Sequence, residues 1–252
     1  MIVTLEHIQK RYQSREGEVE ALRDVTLSIR EGEFLSIVGP SGCGKSTLLA
    51  ILAGLEKPSG GRLLLDGEEL TGISHWVGYM PQRDELFPWR TIRDNVLLGL
   101  ELRGEKQGAR REKVEELLRR YGLADFADAP PARLSGGMRQ RCALIRTLAT
   151  DPALLLLDEP FSALDYQTRL SVSDDIHRII RQEGKTAVLV THDISESISM
   201  SDRVAVLSAR PGRLKAVYEL PELQGLSPME RRDHPLFHSR FNLIWKELDT
   251  GV

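Results

Sequence analysis

Gly39-Pro40-Ser41-Gly42-Cys43-Gly44-Lys45-Ser46-Thr47 fits the pattern G-x-x-x-x-G-K-[ST], with Gly39, Gly44, Lys45 and Ser46 in the fixed places. Its flanks complete the context. Phe34-Leu35-Ser36-Ile37-Val38 is a short apolar run bounded by Gly32 and Gly39, which reads as a buried strand. Leu48–Ala53 is made of good helix formers and is stopped by Gly54. A strand, a glycine loop and a helix start leave unpaired backbone N–H groups aimed at one point, and the helix dipole reinforces that anion site. Glycines allow close approach to phosphates, Lys45 reaches the β/γ oxygens, and Ser46 offers its hydroxyl to Mg²⁺. A thiol beside Lys45 at a helix N-terminus should ionise easily, so Cys43 is expected to be reactive.

Composition bounds the rest. A chain of 252 residues, 41% hydrophobic and 28% charged, can bury a substantial core as an ordinary globular protein. A net charge of -3 gives no electrostatic reason to expect a nucleic-acid partner. Apolar runs are only strand-length, and the first residues alternate without a signal-peptide pattern, which implies a cytosolic protein. Cys43 and Cys142 stand alone, without C-x-x-C, so neither a disulfide framework nor structural zinc is indicated.

Upstream of the loop, Val25–Ile29 alternates as a half-buried strand. Tyr12 lies in a polar segment reaching to Glu20 and reads by itself as a packing aromatic. Downstream, Pro58–Gly61 and Asp66-Gly67 flank Arg62–Leu65, predicting a meander or hairpin. Val77–Met80 then leads through Pro81 to Gln82. From residue 84 to about 150 the texture is helical. Val114, Leu117, Leu118 and Tyr121 form one stripe, and the basic residues of 110–120 form a solvated face interleaved with glutamates. In Leu134-Ser135-Gly136-Gly137, Ser135 has the place of an N-cap on a second helix start.

Ala153–Leu157 reads as a fully buried parallel strand ending on Asp158-Glu159, at the carboxyl edge where α/β sheets bind ligands. Asp158 is placed to hold Mg²⁺, and Glu159 to orient and deprotonate a water. A helix follows Ser162–Asp165, with Val172, Ile176, Ile179 and Ile180 on its apolar stripe. Strand Ala187–Val190 ends at Thr191-His192. A histidine there is ordinarily structural, but at the edge that carries Asp158 and Glu159 it becomes a functional candidate. Val204–Leu207 is one more strand. Phe237, Phe241, Ile244, Trp245 and Leu248 recur at helical spacing in the tail, as packing residues.

Taken together, Gly39–Thr47, Gln82, Leu134–Gly137, Leu154–Pro160, Ser162–Asp165 and His192 resemble, in order, the motifs of ABC transporter ATP-binding subunits over essentially the whole chain. The resemblance implies a P-loop NTPase (RecA-like) α/β core, an antiparallel β subdomain and an inserted ABC-specific helical subdomain. The expected division within one ABC domain is 1–83 and 151–218 for the core, 84–150 for the helical part and 219–252 for a helical tail. It also implies roles. Tyr12 stacks on adenine, and residues 39–47 cradle the phosphates. Gln82 senses Mg²⁺ and the γ-phosphate, and His192 is the switch histidine. Asp165 belongs to a loop crossing to the partner. Ser135, Gly136 and Gly137 meet ATP held by the other subunit.

Two copies would thus close over Mg-ATP and drive membrane permease subunits at the cytoplasmic face of the membrane, with an extracytoplasmic solute-binding protein acting indirectly. Leu86–Thr91, Met138–Arg141 and His234–Phe237 with Arg240 resemble the nitrate/sulfonate/taurine import group. The alternatives are a soluble ABC-type ATPase and a P-loop kinase or GTPase. A soluble ABC ATPase of DNA repair would need a long coiled coil or Cys motif between Gly44 and Leu134, and a GTPase would carry Asn-Lys-x-Asp; this sequence has neither.

Overall fold

In the computed structural model, residues 3–14, 17–104 and 106–249 are described. The phosphate-loop strand β3 (Phe34–Val38) lies inside a six-stranded sheet and is buried along its whole length. Elements in chain order are β1 (Val3–Ser14), β2 (Gly17–Ile29), β3, α1 (Lys45–Leu52), β4 (Gly60–Leu65), β5 (Glu68–Glu69), β6 (Val77–Met80), α2 (Ile92–Leu102), α3 (Gln107–Arg120) and α4 (Gly136–Ala149). Then come β7 (Leu154–Asp158), α5 (Tyr166–Gln182), β8 (Thr186–Thr191), α6 (Ile194–Met200), β9 (Arg203–Leu207), β10 (Leu214–Glu219), α7 (Pro228–Asp233) and α8 (Phe237–Asp249).

The large sheet runs β10-β9-β3-β8-β7-β6, parallel except for the edge strand β10. Its apolar strands pack on both faces, because successive side chains alternate, and Val38, Val204 and Val206 join a third cluster with α6 and α8. Leu154 and Leu156 join Leu35, Ile37, Val188, Val190 and the apolar face of α1 on one side. Leu155 and Leu157 join Ala187, Leu189 and α2–α5 on the other. The first core is closed by a four-stranded sheet in the order β2-β1-β4-β5, with antiparallel pairings.

The structure departs from sequence expectation here. Tyr12 lies toward the Ser14–Gly17 end of the antiparallel β1–β2 pair, opposite Val19. Arg62–Leu65 does turn at Asp66-Gly67 to pair with β5, but its longer partnership is with β1.

Val114, Leu117, Leu118 and Tyr121 are all buried against α2 and α4. In the tail, Phe237 and Ile244 are buried while Trp245 is exposed, so the stripe is only partly a packing face. The short helix α7 lies inside the expected helical tail. It brings in Arg231, 1% exposed, whose Nη1 donates to Ser201 O and Nε to Leu226 O.

Candidate functional site

α1 starts without a side-chain cap, because the residue before it is Gly44, at φ 104°. A side chain is excluded there on two counts. The conformation is left-handed, and a Cβ would stand 2.7 Å from Leu22 Cδ2 and 2.9 Å from Ala21 O. The first N–H groups of α1 are therefore left for an external anion. Lys45 is 7% exposed and donates only to the carbonyls of Gly39 (2.7 Å) and Pro40 (3.1 Å). A buried ammonium held by carbonyls, with no carboxylate paired to it among the described residues, calls for an anionic ligand.

Cys43 contradicts its expectation. Its side chain is 1% exposed, turned into the core away from the loop's open face. Burial pushes the thiol pKa up, and the nearby Lys45 charge only partly opposes it. Cys43 is thus an inert packing residue. Thiol-directed reagents should label native Cys43 far more slowly than the unfolded chain, and at a rate indifferent to ATP. Rapid labelling that ATP blocks would refute this.

At the carboxyl end of β7, Asp158 Oδ2 accepts from Tyr79 OH at 3.0 Å. Burial raises its pKa, with the adjacent Glu159 charge adding to the rise, while Tyr79, Ser46 and Lys45 pull it down. Glu159 sits at φ 44°, a strained geometry for a side-chain-bearing residue, held by its N–H to Val190 O at 2.9 Å. Glu159 Oε2 is 3.0 Å from His192 Nδ1, which realises the sequence pairing of these two. Gln82 Nε2 donates to Ser162 Oγ at 3.3 Å, and Ser162 Oγ to Glu159 O at 2.9 Å, so Gln82 is linked to the end of β7.

An open cleft of about 620 Å³ is lined by Tyr12, Ser41, Gly42, Gly44–Thr47, Glu159 and His192, whereas Asp158 and Gln82 stand behind its wall, Gln82 bonded through Ser162 to Glu159 O. Arg210 also lines it, bonded through Nε to Gly42 O at 3.1 Å, and no local pattern in the sequence marked it. Tyr12 is 37% exposed, with the Lys10 ammonium 4.8 Å from its ring centroid. If the ring stacks on adenine, Tyr12→Ala should weaken ATP binding by about 1–3 kcal/mol and Tyr12→Phe hardly at all, read by calorimetric titration. Equal affinity for the wild type and the Ala variant would return Tyr12 to packing.

The oxygen set suits a hard cation. Ser46 and a partly buried Asp158 with a raised pKa gain from nearby positive charge. Among the described residues no group of three or more His, Cys, Asp or Glu could hold a metal. An ion here must complete its shell with phosphate oxygens and water, as Mg²⁺ does.

Ser135, Gly136, Gly137 and Asp165 do not line this cleft. Ser135 Oγ accepts from Met138 N as the N-cap of α4, and Asp165 Oδ1 accepts from Thr168 N as the N-cap of α5. Gly137 has a packing reason, since a Cβ would meet Val172 Cγ2 at 2.6 Å. α4 also grips the segment after Gln82. Arg146 donates to Glu85 O (2.7 Å) and Asp84 O (2.8 Å), and Arg139 Nε donates to Asp84 Oδ2 (3.1 Å). Glu85, at φ 46°, is strained where it is held.

A parallel sheet with a glycine loop, an uncapped helix start and carboxylates at the strand ends defines a P-loop nucleotide-binding ATPase. A family model described as "ABC transporter" matches residues 22–162. An uncharacterized ABC transporter ATP-binding protein of Bacillus subtilis is 47% identical over 98% of this chain and 95% of its own length. A taurine import ATP-binding protein of Roseobacter denitrificans is 39% identical over 96% of this chain and 94% of its own. A bicarbonate transport ATP-binding protein of Synechococcus elongatus is 42% identical, and this chain covers 37% of it. A solved dimeric ATP-binding cassette in a post-hydrolysis state, bound to ADP and phosphate, superposes with a TM-score of 0.74 at 34% identity, over 86% of this chain and 98% of that one. The chain belongs to the ABC transporter family, as an ATP-binding subunit that hydrolyses ATP.

Proposed function

We propose that this subunit powers import of a small polar solute, of the nitrate, sulfonate or taurine kind, by closing head to tail with a second copy over two ATP molecules. The observation that carries the dimer is the solved cassette that superposes on this chain and is itself dimeric, with ADP and phosphate bound. The cleft agrees with it: the phosphate loop, Glu159, His192 and Tyr12 line it, while Ser135–Gly137 and Asp165 lie outside. A second copy in antiparallel orientation supplies them. The solute class rests on the named import relatives and on the Leu86–Thr91 and C-terminal patterns.

In this reading, Lys45 transfers its ammonium from the Gly39 and Pro40 carbonyls to the phosphate oxygens of ATP. The free N–H groups of α1 take the remaining phosphate charge. Ser46, Asp158 and Gln82 would hold Mg²⁺, which would neutralise charge on the phosphates. Glu159 orients and deprotonates the attacking water, and His192 steadies Glu159 and the γ-phosphate. Asp165 meets the opposite loop. Closing and reopening then drives the permease, and a solute-binding protein outside delivers the cargo. Among the described residues no helix is long and apolar enough to cross a membrane. Docked on a permease, as the import relatives suggest, the subunit works peripherally on the cytoplasmic face. Sedimentation of Glu159→Gln tests the dimer: Mg-ATP should convert it to a dimer, and a persistent monomer would overturn the head-to-tail site.

The permease contact is assigned to Phe87–Trp89. Trp89 is 77% exposed, its ring 5.1 Å from that of the half-buried Phe87. The loop is fixed from beneath by fully buried Asn95, which exchanges bonds with Phe87 N (2.7 Å) and Phe87 O (3.1 Å). Trp89→Ala should leave the melting midpoint of the isolated subunit nearly unchanged and abolish co-purification with the permease, since aromatic anchors carry about 2 kcal/mol or more. Phe87→Ala should lower the midpoint as well. A Trp89→Ala subunit that still co-purifies would move the contact elsewhere.

A further inference from the structure

His192 stands between two residues that a buried cluster holds in place. Thr191 Oγ1 donates to Glu196 Oε2 at 2.6 Å and accepts from Asp193 N at 3.0 Å. Asp193 Oδ1 caps α6, taking Ser195 N at 2.7 Å and Glu196 N at 3.1 Å. Glu196 is buried, and burial with the Asp193 charge raises its pKa against the pull of Thr191, Arg169 and His192. The backbone on either side of His192 therefore moves with Asp193 and Glu196.

Arg169, in the first turn of α5, faces both carboxylates without closing on either. Asp193 Oδ2 stands 3.6 Å from its Nη1 and Glu196 Oε1 3.9 Å from its Nε, and that buried Nε makes no hydrogen bond. Among the described residues its guanidinium makes one hydrogen bond, in another direction, from Nη2 to Leu164 O at 3.1 Å. Buried donors are nearly always paired, so an open one beside two carboxylates marks a group caught between two sets of partners. A shift of about 1 Å would bring both carboxylates within hydrogen-bond reach.

The start of α5 also touches the segment that lies outside the cleft. A Cβ on Gly136 would stand 3.0 Å from Leu164 Cδ2, and one on Gly137 would meet Val172 Cγ2 at 2.6 Å and Thr168 Cγ2 at 3.4 Å. Residues 164–172 thus lie against Ser135–Gly137 through Leu164, Thr168 and Val172, and face the His192 cluster through Arg169. The carbonyl that Arg169 now holds belongs to Leu164, next to Asp165.

We propose that Arg169 is a positioning residue of ATP hydrolysis. Its guanidinium closes on Asp193 and Glu196 when a second copy engages Ser135–Gly137 and the Asp165 loop, and so fixes His192 against Glu159. The trigger rests on the head-to-tail reading above. Arg169 does not line the cleft. Its loss slows turnover and spares nucleotide binding.

The test uses the full chain with saturating Mg-ATP, well below the melting midpoint of every variant. Arg169→Met should lower kcat about tenfold, while KM for ATP and affinity for ADP stay near those of the wild type. Arg169→Lys, which returns the charge, should recover most of that loss. Asp193→Asn keeps a capping side chain for α6, removes the charge, and should also cost about tenfold in kcat. The decisive variant carries both changes. Residues that act as one unit give a double variant about tenfold slow, whereas independent braces give one about a hundredfold slow. Full kcat in Arg169→Met, a matching fall in ADP affinity, no recovery in Arg169→Lys, or multiplying losses in the double variant would overturn the proposal and leave Arg169 a brace of α5. Sedimentation of Glu159→Gln judges the dimer separately. A persistent monomer there, beside losses that do not multiply, would keep the Arg169 contact within one chain and overturn only its trigger by the second copy.

Discussion

Replacing Glu159 by Gln is expected to lower ATP turnover by about 10²–10⁴-fold while ATP affinity stays near that of the wild type. The size follows from what the substitution removes. Glutamine fills the same space and keeps a carbonyl oxygen facing His192 Nδ1, 3.0 Å away in the native pair. The strained backbone at φ 44° is unchanged, because the N–H to Val190 O and the surrounding β7 and β8 remain. Lys45 and the α1 N–H groups, which meet the phosphates, are untouched. Only the capacity to take a proton from water is lost. Single-turnover kinetics with labelled ATP separate the steps: binding should persist while cleavage slows. A loss below about tenfold would show that Glu159 is not the base, since general-base contributions start near 10².

The heart of this molecule is locally encoded. Strand β3, its loop and α1 are continuous in the chain, so a pattern of spacing and glycine sufficed to find them. Strands β7, β8 and β9 are buried on both faces, which makes them apolar runs that announce themselves. Pairing over long separations is another matter. The alternation of the first residues reads as strand, but nothing around Tyr12 signals that residues 3–14 pair with both β2 and β4, because alternation in a half-exposed strand does not name its partners.

Residues whose polarity hides their burial were also illegible. Asn95, His177 and Arg231 look like surface residues in sequence, yet each is buried: Asn95 under its own preceding loop, His177 against Phe34 of β3, and Arg231 on the carbonyl of Ser201. Cys43 failed differently: the motif places it beside Lys45, but whether the thiol faces the loop's interior or the core is decided by Leu22 and the β2 hairpin packing behind it. Gly137 has two readings that sequence cannot part, since its contact with Val172 of α5 is reason enough for glycine.

The cleft assembled in one chain and the signature segment left outside it make a sharp expectation for mixtures of inactive subunits. Lys45→Ala removes the ammonium from the phosphate loop and leaves Ser135–Gly137 intact. Ser135→Glu removes the hydroxyl cap of α4 and places a negative charge where the opposite ATP is expected, leaving the loop intact. Each alone should lose turnover by about 10²-fold or more, the range for deleting one group that stabilises developing charge. Mixed in equal amounts, half of the dimers are heterodimers by simple combination. Each heterodimer pairs the intact loop of the Ser135→Glu chain with the intact signature of the Lys45→Ala chain, giving one whole site beside one doubly damaged site. Activity should therefore return to about a quarter of the wild-type level if one whole site turns over on its own, far above the sum of the separate variants. A site complete within one chain predicts the opposite: no mixing ratio exceeds the weighted average of the two. Because Ser135 also caps α4 through Met138 N, loss of the cap costs about 1 kcal/mol of stability. The Ser135→Asp chain, which keeps a capping side chain while adding the charge, separates the two effects. If that variant is inactive alone and is not rescued by the Lys45→Ala chain, the head-to-tail arrangement is wrong.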